Sequence, residues 1–428
     1  MILVIFLGLL ILLFIAGVAI PYAIGVTSVA VMIFQSGIEG IAFGTIAQKM
    51  VAGVNNFTLL AIPFFLLAGK LMNTGSITRK IFNFANLLVG YIPGGLGHAN
   101  VVASIIFAGM SGSAVADAAG LGTIEMEAME NAGFDKEFSA GVTAASSTIG
   151  PIIPPSIPLI MYGVAGGVSI SKLLIAGIVP GLVMGAALMV MIVIFSLKRN
   201  YPRISFPGWK AFWKAGADAF FPLLTPVILI GGILGGIFTA TEAAAVAALY
   251  AFVLTFFVYR EVTLKDILQV CRETARETAS ILIIVAASSL YGYLLIKTRI
   301  PQMLMEKIFG FTQSPIAVLL ILNIFFLIVG CFMETNAAII ILTPLILPMT
   351  NQLGIDPIHL GLVMVLNLMI GLLTPPVGMC LYAVARVAKL SFERMVAAIL
   401  PFYIPLLAVL LLITFVPGVV LWLPNLIS

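Results

Sequence analysis

Apolar runs of roughly 20 residues recur along the chain, with short polar stretches between them. A run of that length crosses a bilayer as a helix. The pattern predicts spans near 2–19, 21–35, 57–73, 174–197, 218–238, 242–259, 278–296 and 398–422, where Pro21 either divides the first two or kinks one long helix. Four other apolar segments carry breaks. Residues 94–132 and 315–350 are interrupted midway, at Gly109-Met-Ser-Gly-Ser-Ala-Val-Ala-Asp117 and Gly330-Cys-Phe-Met-Glu-Thr-Asn336, and read as hairpins that enter and return on one side. Residues 138–163 and 359–384 are broken at Ser146-Ser-Thr-Ile-Gly-Pro-Ile-Ile-Pro-Pro-Ser156 and at Gly371-Leu-Leu-Thr-Pro-Pro376. Irregular backbone at membrane depth is tolerated only where protein buries it or where it lines a cavity.

The four breaks repeat in register. Gly109 and Gly330 stand 221 residues apart (330 − 109), and so do Gly150 and Gly371 (371 − 150). Two unlike motifs at one offset predict two related halves, 1–197 and 218–428, joined by a polar cytoplasmic linker, 198–217. The fold class is an all-α polytopic membrane protein. Basic residues set its orientation. The densest basic segment, Lys198 to Lys214, is placed in the cytoplasm. Alternating spans from there leave only Lys49, Lys172, Lys297, Arg299 and Lys307 of the 21 Lys and Arg on the outer side. The halves are then inverted, and both termini lie on the outer face.

Composition narrows the class. Of 428 residues 62% are hydrophobic and 9% charged, against roughly 25% charged in soluble domains. There is no room for a sizeable soluble domain. No basic patch points to nucleic acid. No P-loop or HExxH pattern occurs, which argues against ATP hydrolysis and zinc chemistry. Cys271, Cys331 and Cys380 lack ligand spacing and are expected as free buried thiols. Met1 to Ile20 has no basic flank and reads as a retained span.

The breaks supply the candidate chemistry. Glycines and prolines free backbone carbonyls, and Ser, Thr and Asn add side-chain oxygens beside them. Such oxygens suit Na⁺, and helix ends add dipoles for an ion and an anion. The expected Na⁺ ligands, mainly backbone carbonyls, are at Ser111, Gly112, Ser146, Gly150, Glu334, Thr335, Asn367, Gly371 and Thr374. The expected substrate contacts are Ser113, Ser147, Thr148, Pro154, Asn336 and Pro375. Small-residue packing and ordinary proline kinks are the plainer readings, but neither needs an echo in register. Glu334 serves equally well as an ion site or as an anchor for the second tip. Asp117 is expected to tie its hairpin by hydrogen bonds. Glu125, Glu127 and Glu130 are expected in solvent. Glu242 with Thr239 and Thr241 reads as a helix cap. Gly231-Gly232 and Gly235-Gly236 read as a packing face.

With these residues in view, the chain resembles the large membrane subunit of tripartite ATP-independent periplasmic (TRAP) transporters along essentially its whole length. The resemblance rests on Leu59-Leu-Ala-Ile-Pro-Phe-Phe-Leu-Leu-Ala-Gly69, Phe107-Ala-Gly-Met-Ser-Gly-Ser-Ala-Val-Ala-Asp-Ala-Ala-Gly120, the Ser146–Ser156 break and Gly235-Gly-Ile-Phe-Thr-Ala-Thr-Glu-Ala-Ala244. It implies the ion transporter superfamily elevator fold, in a bacterial or archaeal cytoplasmic membrane. It also implies coupling to two or more Na⁺ without an organic cofactor, a small four-helix membrane subunit, and a periplasmic binding protein that delivers an organic acid. Gly330-Cys-Phe-Met-Glu-Thr-Asn-Ala-Ala338 looks more like the sialic acid branch than the C4-dicarboxylate branch.

Two rivals remain open at this stage. A passive channel or exchanger would use the same fold without accumulating substrate. An intramembrane serine protease would use Ser111 in a short Gly-x-Ser-Gly pattern, with a histidine as base. His98 falls on the same limb as Ser111 and His359 near the outer surface, so no enzyme is expected.

Overall fold

A computed structural model describes residues 5–37, 39, 41–73, 75–203, 208–303 and 312–427. The described residues form helices throughout, and six helices are long and apolar enough to cross a membrane. A seventh crossing arises if the bent pair Phe43–Val54 and Phe57–Met72 counts as one span. Phe43–Val54 occupies what the sequence pattern assigned to an outer loop, and the chain turns by 54° at its end. Its glycine face explains the helix: a Cβ on Gly53 would stand 2.4 Å from Ser289 Cβ, so it lies hard against the Leu264–Lys297 helix. Pro21 sits in the first turn of Ile20–Ser36, and Gly17 (φ 76°) ends the helix before it, so the two N-terminal helices are separate.

Both hairpins and both broken helices are present. The first hairpin runs Gly95–Ser111, then Ala114–Ala119 and Leu121–Asn131. The second runs Pro315–Phe332, then Thr335–Gln352. The broken helices are Lys136–Ser147 with Ile157–Gly166, and Pro357–Gly371 with Met379–Ala388. The 221-residue offset holds in detail. Ser113 and Glu334 are N-caps of the returning limbs, Asp135 and Asp356 of the broken helices (334 − 113 and 356 − 135). The Pro154–Pro155 and Pro375–Pro376 bonds are both cis (375 − 154).

Several boundaries differ from the sequence pattern. The linker read over 198–217 is helical at both ends, because Ile170–Arg199 runs to its start and Trp209–Leu234 begins within it. Asn200, in a left-handed conformation, stops the first of these. Gly235 and Gly236 end Trp209–Leu234 rather than forming a packing face, and Gly236 takes φ 65°. Thr239 and Glu242 make a reciprocal capping box at the next helix. Cys271 is exposed, unlike the other two cysteines, since it lies on the outer side of the long Leu264–Lys297 helix. Lys307 and the rest of 304–311 lie outside the described residues.

The elements sort into two groups. Helices Ile20–Ser36, Phe43–Val54, Ala61–Met72, Ala240–Val253 and Leu264–Lys297 pack mainly on one another, and Gly75–Val89 and Trp209–Leu234 join them to the entering limb of the first hairpin. The hairpins and broken helices pack on each other and on Ile170–Arg199 and Tyr403–Phe415.

Candidate functional site

Each hairpin turns without a loop to spare. Gly95–Ser111 ends on Gly112 at φ 64°, a conformation that favours glycine. A Cβ there would also stand 2.4 Å from the Pro155 carbonyl oxygen, so the tip rests on the break of the first broken helix. Ser113 is extended and caps the returning limb. At the second tip Met333 and Glu334 are both extended. The Glu334 carboxylate accepts from Ala337 N at 2.9 Å and from Asn336 Nδ2 at 2.8 Å. A Cβ on Gly371 would stand 2.5 Å from Gly330, so the second hairpin touches its broken helix through bare backbone.

These contacts bring the tips together around a cavity of about 330 Å³. Gly112, Ser113, Glu334, Thr335 and Asn336 line it directly. So do Ile157 and Met379, the first residues of two half-helices. Together with Thr335, they point the N-termini of three helices at one space, where unpaired N–H groups and dipoles favour an anion. The Thr335 hydroxyl is buried without a hydrogen-bond partner, and so is the Asn336 carbonyl oxygen. A second cavity, about 630 Å³, adjoins the first through Leu66, Ser113, Val115 and Glu277, and Ser111 lies in its wall.

The other expected site residues stand behind this surface. Ser147, Thr148 and Thr374 turn their hydroxyls onto carbonyls of their own helices, Ala144, Ala145 and Ile370, at 2.9, 2.6 and 2.9 Å. Pro154 and Pro375 lie in the breaks and do not reach the cavity wall. Gly150 is covered by Asp117, whose carboxylate would stand 2.3 Å from a Cβ there. Asp117 is buried, and the Ser111 hydroxyl is the hydrogen-bonding group beside its carboxylate, with looser geometry than a full bond. Glu125 is likewise buried, not solvated, because its limb packs against Lys136–Ser147.

Ser146 and Asn367 take equivalent places in the two halves. Ser146 donates to Asn100 Oδ1 at 2.6 Å, and Asn100 Nδ2 donates to Thr143 at 2.8 Å. Asn367 Nδ2 donates to Asn323 Oδ1 at 2.9 Å, and Asn323 Nδ2 donates to Thr414 at 2.9 Å. In each half one asparagine on the entering limb thus ties its hairpin to the broken helix. Reading the motifs alone missed both asparagines. It also missed the opposite wall, Leu66, Glu277, Ser280 and Ile281, supplied by the other helix group.

Among the described residues neither histidine pairs with Ser111. The Ser111 hydroxyl accepts from Ser113 N at 3.4 Å. His98 Nε2 lies 3.1 Å from the Pro93 carbonyl, and His359 Nε2, buried in the protein, 2.7 Å from that of Ile413. Among the described residues no three His, Cys, Asp or Glu side chains are placed to hold a metal ion. The cavity offers hydroxyl, amide and backbone oxygens together with the carboxylates of Glu334 and Glu277.

Comparison with known proteins agrees with this arrangement. The chain is 44% identical over 411 residues to the sialic acid TRAP transporter large permease protein SiaM of Vibrio cholerae, with 96% of each chain covered. It is 38% identical to the C4-dicarboxylate TRAP transporter large permease protein DctM of the same organism, covering 96% and 95%. The crystal structure of the Alcanivorax borkumensis YdaH transporter shares the fold, at TM-score 0.68 and 13% identity, over 96% of this chain and 98% of that one. Residues 7–419 match the family model described as tripartite ATP-independent periplasmic transporter, DctM component. The chain is a multi-pass membrane permease belonging to that family.

Proposed function

We propose that this permease takes up an organic acid anion by coupling it to Na⁺, with sialic acid favoured over a C4-dicarboxylate. The observation that carries the reading is the convergence of three helix N-termini and two hairpin tips on one cavity. Helix N-termini receive the substrate carboxylate, and the free oxygens of Thr335 and Asn336 with nearby carbonyls receive Na⁺. Glu334 already accepts two hydrogen bonds, yet each carboxylate oxygen keeps a further lone pair for an ion. The scaffold is the first helix group. The hairpins and broken helices move against it elevator-fashion, carrying the site across the cytoplasmic membrane. A small four-helix subunit covers part of the scaffold. A periplasmic binding protein delivers the anion to the outer face, where both termini lie.

The sialic acid preference is supported by the higher identity to the sialic acid relative and by the Gly330–Ala338 segment. The test is uptake of labelled sialic acid into proteoliposomes holding this chain and its small subunit, with and without a Na⁺ gradient and the binding protein. Accumulation only with both supports the full reading. Equilibration without accumulation would mean a passive exchanger instead. If sialic acid is ignored while succinate accumulates, the substrate is a C4-dicarboxylate.

A further inference from the structure

The two cavities at the hairpin tips are poor in positive charge. Their walls carry the carboxylates of Glu273, Glu277 and Glu334, and Lys70 is the one Lys or Arg among the described lining residues. Lys70 lies in the last turn of Ala61–Met72, where the helix dipole favours a cation. Its Nζ stands 2.7 Å from Glu277 Oε1 and 3.5 Å from Glu273 Oε2. The residue before it, Gly69, touches the first hairpin tip: a Cβ there would lie 3.0 Å from Ser111 Cα. Glu277 lines both cavities, so the ion pair stands at their junction.

Burial within the pair is uneven. The Lys70 side chain is 23% exposed, whereas Glu273 and Glu277 are 50% and 51% exposed. Wet carboxylates exchange readily, and ion pairs with half-exposed members contribute little to folding. A clamp between two helices therefore explains little about why the one cation among the described lining residues faces the tips. An organic anion leaving the N-terminal cradle, by contrast, enters a space lined by acids and meets one partner of opposite sign.

We propose that Lys70 binds the carboxylate of the transported anion as it passes between the two cavities, and that Glu277 is the internal anion it exchanges against. This rests on the organic-anion reading given above. In the empty carrier Glu277 neutralises Lys70. An arriving carboxylate displaces Glu277, and the return of Glu277 releases the anion. Lys70 thus draws the substrate across without trapping it.

The experiment is a titration of sialic acid, and separately of succinate, into the detergent-solubilised complex of this chain and its small subunit at saturating Na⁺. Lys70→Gln is expected to weaken binding about tenfold, the size of one charge-assisted hydrogen bond. Lys70→Arg keeps binding within about threefold on the same scale. Glu277→Gln is expected to move the dissociation constant the other way, tightening binding while slowing turnover in proteoliposomes. A structural clamp makes both neutral variants weaken binding together or leaves both unchanged, and either result overturns the proposal. If Lys70→Gln fails to fold, Glu277→Gln decides alone: tighter binding supports the proposal, and weaker or unchanged binding overturns it. A wild-type complex that neither binds nor accumulates either anion overturns the transport reading, and this inference with it. Wild-type transport with parallel shifts in the variants removes this inference only.

Discussion

Thr335 keeps a hydroxyl in the cavity wall at 3% exposure with no partner. Such a group costs about 1–3 kcal/mol in folding when nothing replaces its water. Threonine at this point therefore opposes stability unless a ligand uses it. Thr335→Val keeps the shape and removes the hydroxyl. The expected result is a complex about 1 kcal/mol more stable whose Na⁺-driven uptake falls at least tenfold. Melting temperature and initial uptake rate report the two effects, and wild-type uptake in the variant would remove Thr335 from the site. Gly112→Ala acts differently, because its φ of 64° and the Pro155 carbonyl both resist a side chain. It is expected to cost about 1–3 kcal/mol and to lower uptake even where the protein reaches the membrane. A variant with full stability and full uptake would show that the tip is not held as described. At this scale the sequence was partly legible. Glycine and proline mark the breaks because only the backbone conformation is at stake. Hydroxyls are ambiguous, since Ser147, Thr148 and Thr374 bond back to their own helices while Thr335 does not. Nothing in residue type separates those two fates.

Hairpins and broken helices were readable as elements because each needs an interruption, and the interruptions recur at one offset. The ties between them were not. Ser146 and Asn367 keep the 221-residue offset (367 − 146), but Asn100 and Asn323 stand 223 apart (323 − 100). The entering limb has slipped by part of a turn while the hydrogen bond it makes was kept. A search at constant offset passes over such a pair. The ties make a matched prediction: Asn100→Ala and Asn323→Ala each remove two hydrogen bonds between elements, while Ser146, Asn367 and Thr414 keep a bond to a carbonyl of their own helix. Each is expected to cost about 1–3 kcal/mol, seen as similar falls in melting temperature. A loss from only one variant would mean that the two halves are not tied alike. Elsewhere the repeat has diverged. Asp356 caps its helix through Ile358 N and His359 N, whereas Asp135 accepts from Tyr201 and Arg199 instead. The Tyr201 hydroxyl first, and Arg199 with it, hold the Asp135 carboxyl below its ordinary value of 3.8. A depressed carboxylate stabilises the fold above its unfolded pKa, and that gain is lost as pH falls through the folded value. With Asp135 half exposed the gain is under about 1 kcal/mol. Tyr201→Phe should therefore melt slightly lower than wild type at pH 7, and the gap should close below pH 3.8. A gap that stays constant would place the effect in the hydrogen bond that Arg199 donates to the Tyr201 hydroxyl rather than in the carboxylate.

Charge links the whole molecule to an order of events. Among the described residues three carboxylates and one lysine line the joined cavities, so the space is acidic although its ligand in this reading is an anion. Coulomb repulsion between like charges strengthens as water is excluded, so an anion enters such a space at a cost that grows with enclosure. Helix N-termini offset part of it, each supplying roughly half a positive charge. In the proposed Na⁺ coupling, cations at the tips supply the rest and draw together the free oxygens of Thr335 and Asn336. On the proposed reading Na⁺ binds first and raises the affinity for the anion, and by linkage the anion raises the affinity for Na⁺ by the same factor. A ligand that binds the folded state raises its stability according to its concentration over its dissociation constant. The purified complex is therefore expected to melt higher with increasing Na⁺ and not with K⁺ at equal ionic strength. Sialic acid should add a further rise in Na⁺ and none in K⁺. Equal stabilisation by the anion in both salts would show that it binds without the cation, and that the acidic walls are neutralised by some other means.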